Sequence, residues 1–119
     1  MKLLQIAIGL TILAGCSTTP QEIKDTYPVG EFASTKASYE LTACLDKNAR
    51  KMNFGLLNTN VTPKSEDRFE ILVLNGGSAY ATLEIKPKNE YNSNAIIRLG
   101  GPAKVTPKRI IQQITNGCS

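Results

Sequence analysis

One segment near the middle of the chain has apolar residues at helical spacing. Within 36–52 most apolar positions recur three or four residues apart, which places them on one face of an α-helix. They are Ala37, Leu41, Cys44, Leu45, Ala49 and Met52. Ser34 or Thr35 can cap the start, and Asn53 and Gly55 are suited to end it. The pattern therefore predicts a helix over 36–52.

After Phe54 the period changes to two, as in strands that bury one face. Alternation predicts strands at 56–61, 68–74, 78–85 and 95–99. Asn75-Gly76 between the second and third is typical of a type I′ hairpin turn, which needs two residues at positive φ. A short helix is predicted after Thr106-Pro107, with Asn116-Gly117 as its end.

This order of elements predicts an α+β domain. We expect an antiparallel meander of three or four strands, with an N-terminal and a C-terminal helix packed on one of its faces. Cys44 lies on the apolar side of the first helix and Cys118 just past the last one. They can form a disulfide if the two helices lie together. A redox-active pair is the alternative, but the Cys-x-x-Cys spacing that tunes thiol acidity is absent.

The first fifteen residues differ from all that follow. Lys2 is their only charge, and the run 3–14 is apolar except for Gln5, Gly9 and Thr11. A membrane-spanning helix needs about 20 apolar residues, so this run is too short to span and is typical of a signal peptide. A buried helix of the mature fold is the alternative, and it would need a polar face that the run does not offer.

The segment Leu13-Ala14-Gly15-Cys16 resembles the lipobox of bacterial lipoproteins. The resemblance implies that Cys16 receives a diacylglyceryl thioether and that the chain is cut before it; in the family the new amino group is often acylated too. A residue other than Asp after the cysteine usually directs such proteins to the outer membrane, and Ser17 stands there. Lipidation of one of three cysteines leaves Cys44 and Cys118 as a matched pair. The layout also resembles that of small uncharacterised outer-membrane lipoproteins.

Three regions are therefore expected along the chain. Residues 1–15 form a lipoprotein signal peptide, 16–30 a lipidated flexible tether, and 31–119 a small α+β periplasmic domain. The tether is inferred from Pro20, Pro28, Gly30 and a low apolar content.

The composition of the 119 residues narrows the chemistry. With no histidine, the chain has no His-based triad, no His zinc ligand and no imidazole acid–base group. Glu66 and Asp67 are neighbours on an extended chain, so they point to opposite faces and do not form an acid–base pair. The Gly-Gly pairs lack the spacing of a phosphate loop. We therefore expect no enzyme, no cofactor and no metal site.

The formal charge of +4 is unevenly distributed. Residues 86–119 contain six basic residues and one acidic residue, a net charge of +5. The basic residues are Lys86, Lys88, Arg98, Lys104, Lys108 and Arg109. They are candidates for binding an anionic envelope surface, and a solvated face is the alternative. The same two interpretations apply to Lys47, Arg50 and Lys51 in the first helix. Nucleic acid is not an expected partner, because these residues include no aromatic platform.

Two functions remain. The first is a non-enzymatic binding or structural module of the cell envelope, lipid-anchored in the outer membrane and facing the periplasm, with an envelope protein or an anionic envelope polymer as its partner. The second is a periplasmic inhibitor of a lysozyme-like or other envelope-attacking enzyme. Gly77-Ser78-Ala79-Tyr80 faintly resembles the Ser-Gly-x-x-Tyr loop of periplasmic lysozyme inhibitors, although the glycine after Ser78 is missing and the tyrosine is one place early.

Overall fold

A computed structural model describes residues 19–25 and 28–119. Within these residues five strands form one antiparallel sheet in the order β1-β5-β4-β3-β2. The strands are β1 (Gly30–Ser34), β2 (Asn58–Ser65), β3 (Arg68–Asn75), β4 (Ser78–Pro87) and β5 (Ser93–Leu99). The α-helices are α1 (Pro20–Lys24), α2 (Ser38–Lys51) and α3 (Pro107–Thr115), and short 3₁₀ helices span Met52–Gly55 and Gly101–Val105.

The α+β class, the antiparallel meander of β2 to β5 and the helix pair on one face are confirmed, but the expected strand number is wrong. The structure adds β1, which pairs with β5 from Gly30↔Ile97 to Ser34↔Ser93. Phe32 is the one large apolar residue in this five-residue edge strand, so there is too little alternation to reveal it. The strand forms because its backbone pairs with β5, and the side chains of β1 do not indicate this pairing.

Helices α2 and α3 cover one face of the sheet and enclose the main core. Leu41 and Leu45 of α2 are fully buried, as is Ile114 of α3. They pack with inward side chains of β3, β4 and β5. These include Ile71, Val73, Ala81, Leu83, Ile85, Ala95, Ile97 and Leu99. The apolar faces predicted from the helical and strand periods thus meet in one core layer.

The hairpin between β3 and β4 differs from the predicted turn type. Asn75 pairs with Ser78, so Gly76 and Gly77 are the two central residues. Only Gly76 has a positive φ, at 62°, as in a type II′ turn. A shift in pairing follows, because Val73 pairs with Ala81 while Leu74 pairs with Ala79. Tyr80 is the extra residue of this β-bulge, and both it and Ala81 join the core on the helix side.

The second face of the sheet is covered in part by α1, which lies in the stretch predicted as a tether. Ile23 is 1% exposed but does not belong to the helix-side core. Lys24 Nζ lies 3.0 Å from Glu70 Oε1, and Glu70 points away from α2 and α3. The short helix is capped by Thr19, whose side-chain oxygen accepts the backbone N–H of Glu22. The sequence did not predict this packing, because Ile23 is the one large apolar residue in the five-residue helix α1.

A disulfide and a hydrogen-bonded amide join α2 to the end of α3. Cys44 and Cys118 are bonded, with their Cα atoms 5.7 Å apart. One turn further along α2, Asn48 Nδ2 donates to the carbonyl oxygens of Ile114 and Asn116, both at 2.8 Å. Carbonyls at a helix C-terminus have no partner within the helix, so Asn48 supplies one from a neighbouring element. The predicted disulfide is confirmed.

Loss of this disulfide should destabilise the domain. Reduction, or Cys44→Ala, should lower the free energy of unfolding by about 2–5 kcal/mol, because the unfolded chain regains the entropy of a long loop. Denaturant unfolding of the oxidised protein, the reduced protein and the variant measures the change. Cys16→Ala is the control and should leave this free energy unaltered. A thiol titration that finds Cys44 and Cys118 free in the protein as isolated would contradict the disulfide.

Candidate functional site

The structure distributes the six basic residues of the C-terminal third over several surfaces. Lys88 lies in the connection between β4 and β5, whereas Lys104, Lys108 and Arg109 follow the other end of β5. Lys86 and Arg98 belong to the sheet face opposite α2 and α3. Arg98 is already paired, with its Nη1 2.9 Å from Glu84 Oε1 and only 15% of its side chain exposed. These residues do not form one continuous patch.

A groove lies instead between the end of α2 and the outer side of α3. It consists of two adjoining cavities of about 510 and 310 Å³ that share Asn53, Arg109 and Gln113. The larger is also lined by Asn48, Lys51, Met52 and Asn116, and the smaller by Asn75, Tyr80, Thr106 and Ile110. We call this the interhelix groove. Both cavities are open to solvent, so the groove is a shallow surface cleft and not an enclosed pocket.

Local backbone geometry shapes both walls of the interhelix groove. On one side α2 ends at Lys51, and the chain then turns through Asn53, whose φ of 50° lies in the left-handed region. Asparagine tolerates this conformation better than most residues. On the other side Arg109 and Gln113 are four residues apart on α3, so both project toward the same side of that helix. The disulfide and Asn48 hold the two walls together.

The charge of the interhelix groove is entirely positive. Lys51 and Arg109 line it, and no aspartate or glutamate does. Neither cation takes part in an ion pair with another described residue, whereas nearby Arg50 lies 3.1 Å from Asp46. Arg109 also lies in the first turn of α3, where the helix dipole disfavours a cation. Its position is therefore not explained by stabilisation of the helix.

Tyr80 forms part of the floor of the groove and is only 4% exposed. Burial raises the pKa of its phenol above the ordinary value of 10.0, and a side-chain hydrogen bond with Asn53 partly opposes the rise. The neutral phenol is thus the stable form at physiological pH. The bulge described above brings Tyr80 to this position by directing it to the helix side of the sheet.

Other buried polar atoms lie away from the groove or point elsewhere. Asp46 Oδ1 and Thr82 Oγ1 are buried without a hydrogen-bond partner among the described residues. Thr82 alternates with the core residues of β4 and lies on the face that α1 covers. Within 19–25 and 28–119, no group of three or more Cys, Asp or Glu side chains is arranged to hold a metal ion.

The sequence pointed to both cations of the groove, but in other contexts. Arg109 was grouped with the basic C-terminal third and Lys51 with the charges of the first helix. Asn53 was predicted only as a residue that ends the first helix, and Gln113 carried no signal of its own. Only the packing of α2 against α3 brings these four side chains to one surface.

Several predictions fall on residues outside those described: the signal peptide at 1–15, the lipobox with Cys16, and Ser17 after it. In the part of the chain that is described, none of the helices has the length and hydropathy needed to cross a membrane. Comparisons with protein-family models, curated proteins and solved structures found no match to this chain.

The buried phenol of Tyr80 predicts a titration at high pH. Part of the phenolate absorbance of the folded protein should appear late, above pH 10.0, and this late absorbance change should be absent in Tyr80→Phe. Because the folded-state pKa is raised, the stability contributed by the neutral phenol is present below the unfolded pKa. It is lost as pH rises through the folded pKa. Denaturant unfolding of both proteins from about pH 9 to about pH 11 measures this loss.

Asn53 provides a second test of the same environment. Asn53→Gly removes the hydrogen bond but accepts the positive φ, so the pKa of Tyr80 should rise further. Tyr91→Phe is the matched control, since that side chain is 71% exposed. The control should leave the late absorbance change in place. Loss of this change in the control, but not in Tyr80→Phe, would contradict the assignment.

Proposed function

We propose that this protein is a lipid-anchored lipoprotein of the outer membrane whose periplasmic domain is a non-enzymatic binding module of the cell envelope. The observation that carries the proposal is the disulfide between Cys44 and Cys118. Disulfides persist in oxidising compartments such as the periplasm, which agrees with an exported chain. The lipobox resemblance at Leu13-Ala14-Gly15-Cys16 supplies the mode of attachment.

The proposed anchor has a simple physical basis. Each buried CH₂ of an acyl chain contributes about 0.8 kcal/mol, so one chain binds a membrane only marginally and several chains bind it durably. Between Cys16 and the start of α1 at Pro20 lie only three residues. At about 3.3 Å per residue, a chain of that length spans at most about 13 Å. A docked α1 therefore keeps the domain close to the membrane.

The binding role is supported by the interhelix groove and by the two cations that line it, Lys51 and Arg109. An anionic polymer of the envelope, or an envelope protein, is the proposed partner. The membrane is a second proposed partner, which the protein binds through its lipid anchor. Attraction to exposed cations extends about 8 Å at physiological salt, so contact with the partner has to be close.

Inhibition of a lysozyme-like or other envelope-attacking enzyme remains the alternative function. It would use an exposed loop that fits a catalytic cleft. The stretch that resembles an inhibitor loop, Gly77 to Tyr80, begins at the β3–β4 turn, and both Ala79 and Tyr80 are buried. Because buried side chains cannot enter a partner's cleft, this stretch gives the alternative little support.

Lipidation at Cys16 is tested by metabolic labelling with a clickable palmitate. The natural protein should incorporate the label, and Cys16→Ala and Cys16→Ser should not, because only the thiol forms the thioether. Cys44→Ala is the matched control and should remain labelled. Persistent label on Cys16→Ala would refute the anchor.

Sorting to the outer membrane depends on the residue that follows the lipidated cysteine. Ser17→Asp should leave the acylated protein in the inner membrane, and Ser17→Ala should still reach the outer membrane. Density-gradient fractions of the envelope, probed for the protein, separate the two results. An Asp variant found in outer-membrane fractions would contradict the proposed localisation signal.

A further inference from the structure

Most of the polar side chains that line the interhelix groove are cations or carboxamides, and its floor is formed by buried, mainly apolar side chains. From this combination we propose that the groove is a binding site for an anionic saccharide, a sugar unit that carries a carboxylate or a phosphate. The inference rests on the proposed function, because it assigns the binding role of the envelope module to one site and one class of ligand.

The two cations supply recognition of the anionic group. Lys51 comes from the end of α2 and Arg109 from the first turn of α3, so the charges enter from the two walls. A guanidinium matches a carboxylate or phosphate with two parallel hydrogen bonds, and an ammonium adds a compact charge. No acidic side chain lines the groove to compete with the ligand.

The carboxamides supply recognition of neutral polar groups. Five of them line the two cavities, namely Asn48, Asn53, Asn75, Gln113 and Asn116. A carboxamide both donates and accepts hydrogen bonds, as do the hydroxyl and acetamido groups of a sugar. The amide of Asn48 is held by the end of α3, so its role is to fix the wall. Gln113 and Asn116 are exposed at the rim.

The floor of the groove is formed by buried, mainly apolar side chains. Met52, Tyr80 and Ile110 are each less than 10% exposed and belong to the main core. A shallow apolar floor with polar walls suits the C–H face of a sugar ring. A peptide ligand would need separate apolar pockets for its side chains, and the lining of the groove does not include such pockets. A saccharide is therefore favoured over an acidic peptide.

The inference also separates one basic residue from the rest of the C-terminal third. Lys104 and Lys108 are exposed near Arg109 in the chain but do not line the groove. Lys47 is likewise exposed one turn before Lys51 on α2 and does not line it. Each groove cation thus has a neighbour of similar charge outside the site, which provides matched controls.

The test uses the full-length acylated protein in detergent micelles, with binding measured by calorimetry at low salt. The probes are the peptide-free peptidoglycan disaccharide, whose lactyl carboxylate is free, a phosphorylated glucosamine disaccharide from lipopolysaccharide, neutral N,N′-diacetylchitobiose, and the free tetrapeptide of peptidoglycan. At least one anionic sugar should bind more tightly than the neutral one. Which of the two anionic sugars binds shows whether the recognised anion is a carboxylate of the cell wall or a phosphate of lipopolysaccharide.

Substitutions then locate the site. Arg109→Gln and Lys51→Gln should each weaken binding of the anionic sugar about tenfold or more, as expected for loss of a charge-assisted hydrogen bond. Lys108→Gln and Lys47→Gln should change it by less than about twofold, because screened surface charges contribute little. All four variants should keep the melting temperature of the natural protein within a few degrees.

Three results would overturn the inference. They are the absence of binding by both anionic sugars, equal losses in groove variants and controls, and binding of the free tetrapeptide as tightly as the sugar-bearing probe. Mass spectrometry of the recovered probes separates this inference from the proposed function. Cleaved probe would contradict a non-enzymatic module while leaving the site in place, and an unlabelled natural protein would contradict only the anchor.

Discussion

The attachment of the C-terminal segment to α2 is the interaction on which the rest of this domain depends. Helix α3 is nine residues long, and isolated helices of that length are marginal in water. The disulfide between Cys44 and Cys118, with the Asn48 hydrogen bonds beside it, fixes α3 against a longer helix. The hydroxyl of Ser34 adds a third contact by donating to the Cys118 carbonyl at 2.6 Å. This one attachment point therefore links both helices and the edge strand β1.

The same attachment explains why a groove exists. The disulfide joins the middle of α2 to the residues that follow α3, while the apolar faces of both helices are drawn to the sheet. Side chains on the outer flanks are then left facing one another across an open space, with Lys51 on one side and Arg109 on the other. The cations remain outside the core because desolvating an unpaired charge is costly. Packing of the core thus sets the spacing of the polar walls.

The sequence predicts the parts of this fold that have a strong period. Helix α2, the hairpin of β3 and β4, and strand β5 were all identified from alternating or helical spacing. The disulfide followed from the positions of its cysteines. Strand β1 and helix α1 were missed because each contains a single large apolar residue and is held by partners distant in sequence. The prediction that Ser34 or Thr35 caps the start of α2 was also wrong. Ala37 occupies the cap position, and the hydroxyl of Ser34 is engaged with Cys118 and Lys36.

The candidate site was less predictable than the fold because its residues belong to separate elements. Net charge pointed to the C-terminal third, but the structure divides those cations between the sheet face opposite α2 and α3 and the segments at the two ends of β5. The two faces of the sheet also differ in what they would meet in an envelope. Helix α1, the first described element after the proposed lipid attachment, packs on the face opposite α2 and α3. An anchor at Cys16 would therefore hold that face toward the membrane, and the interhelix groove, formed by the helices of the other face, would be directed toward the periplasm.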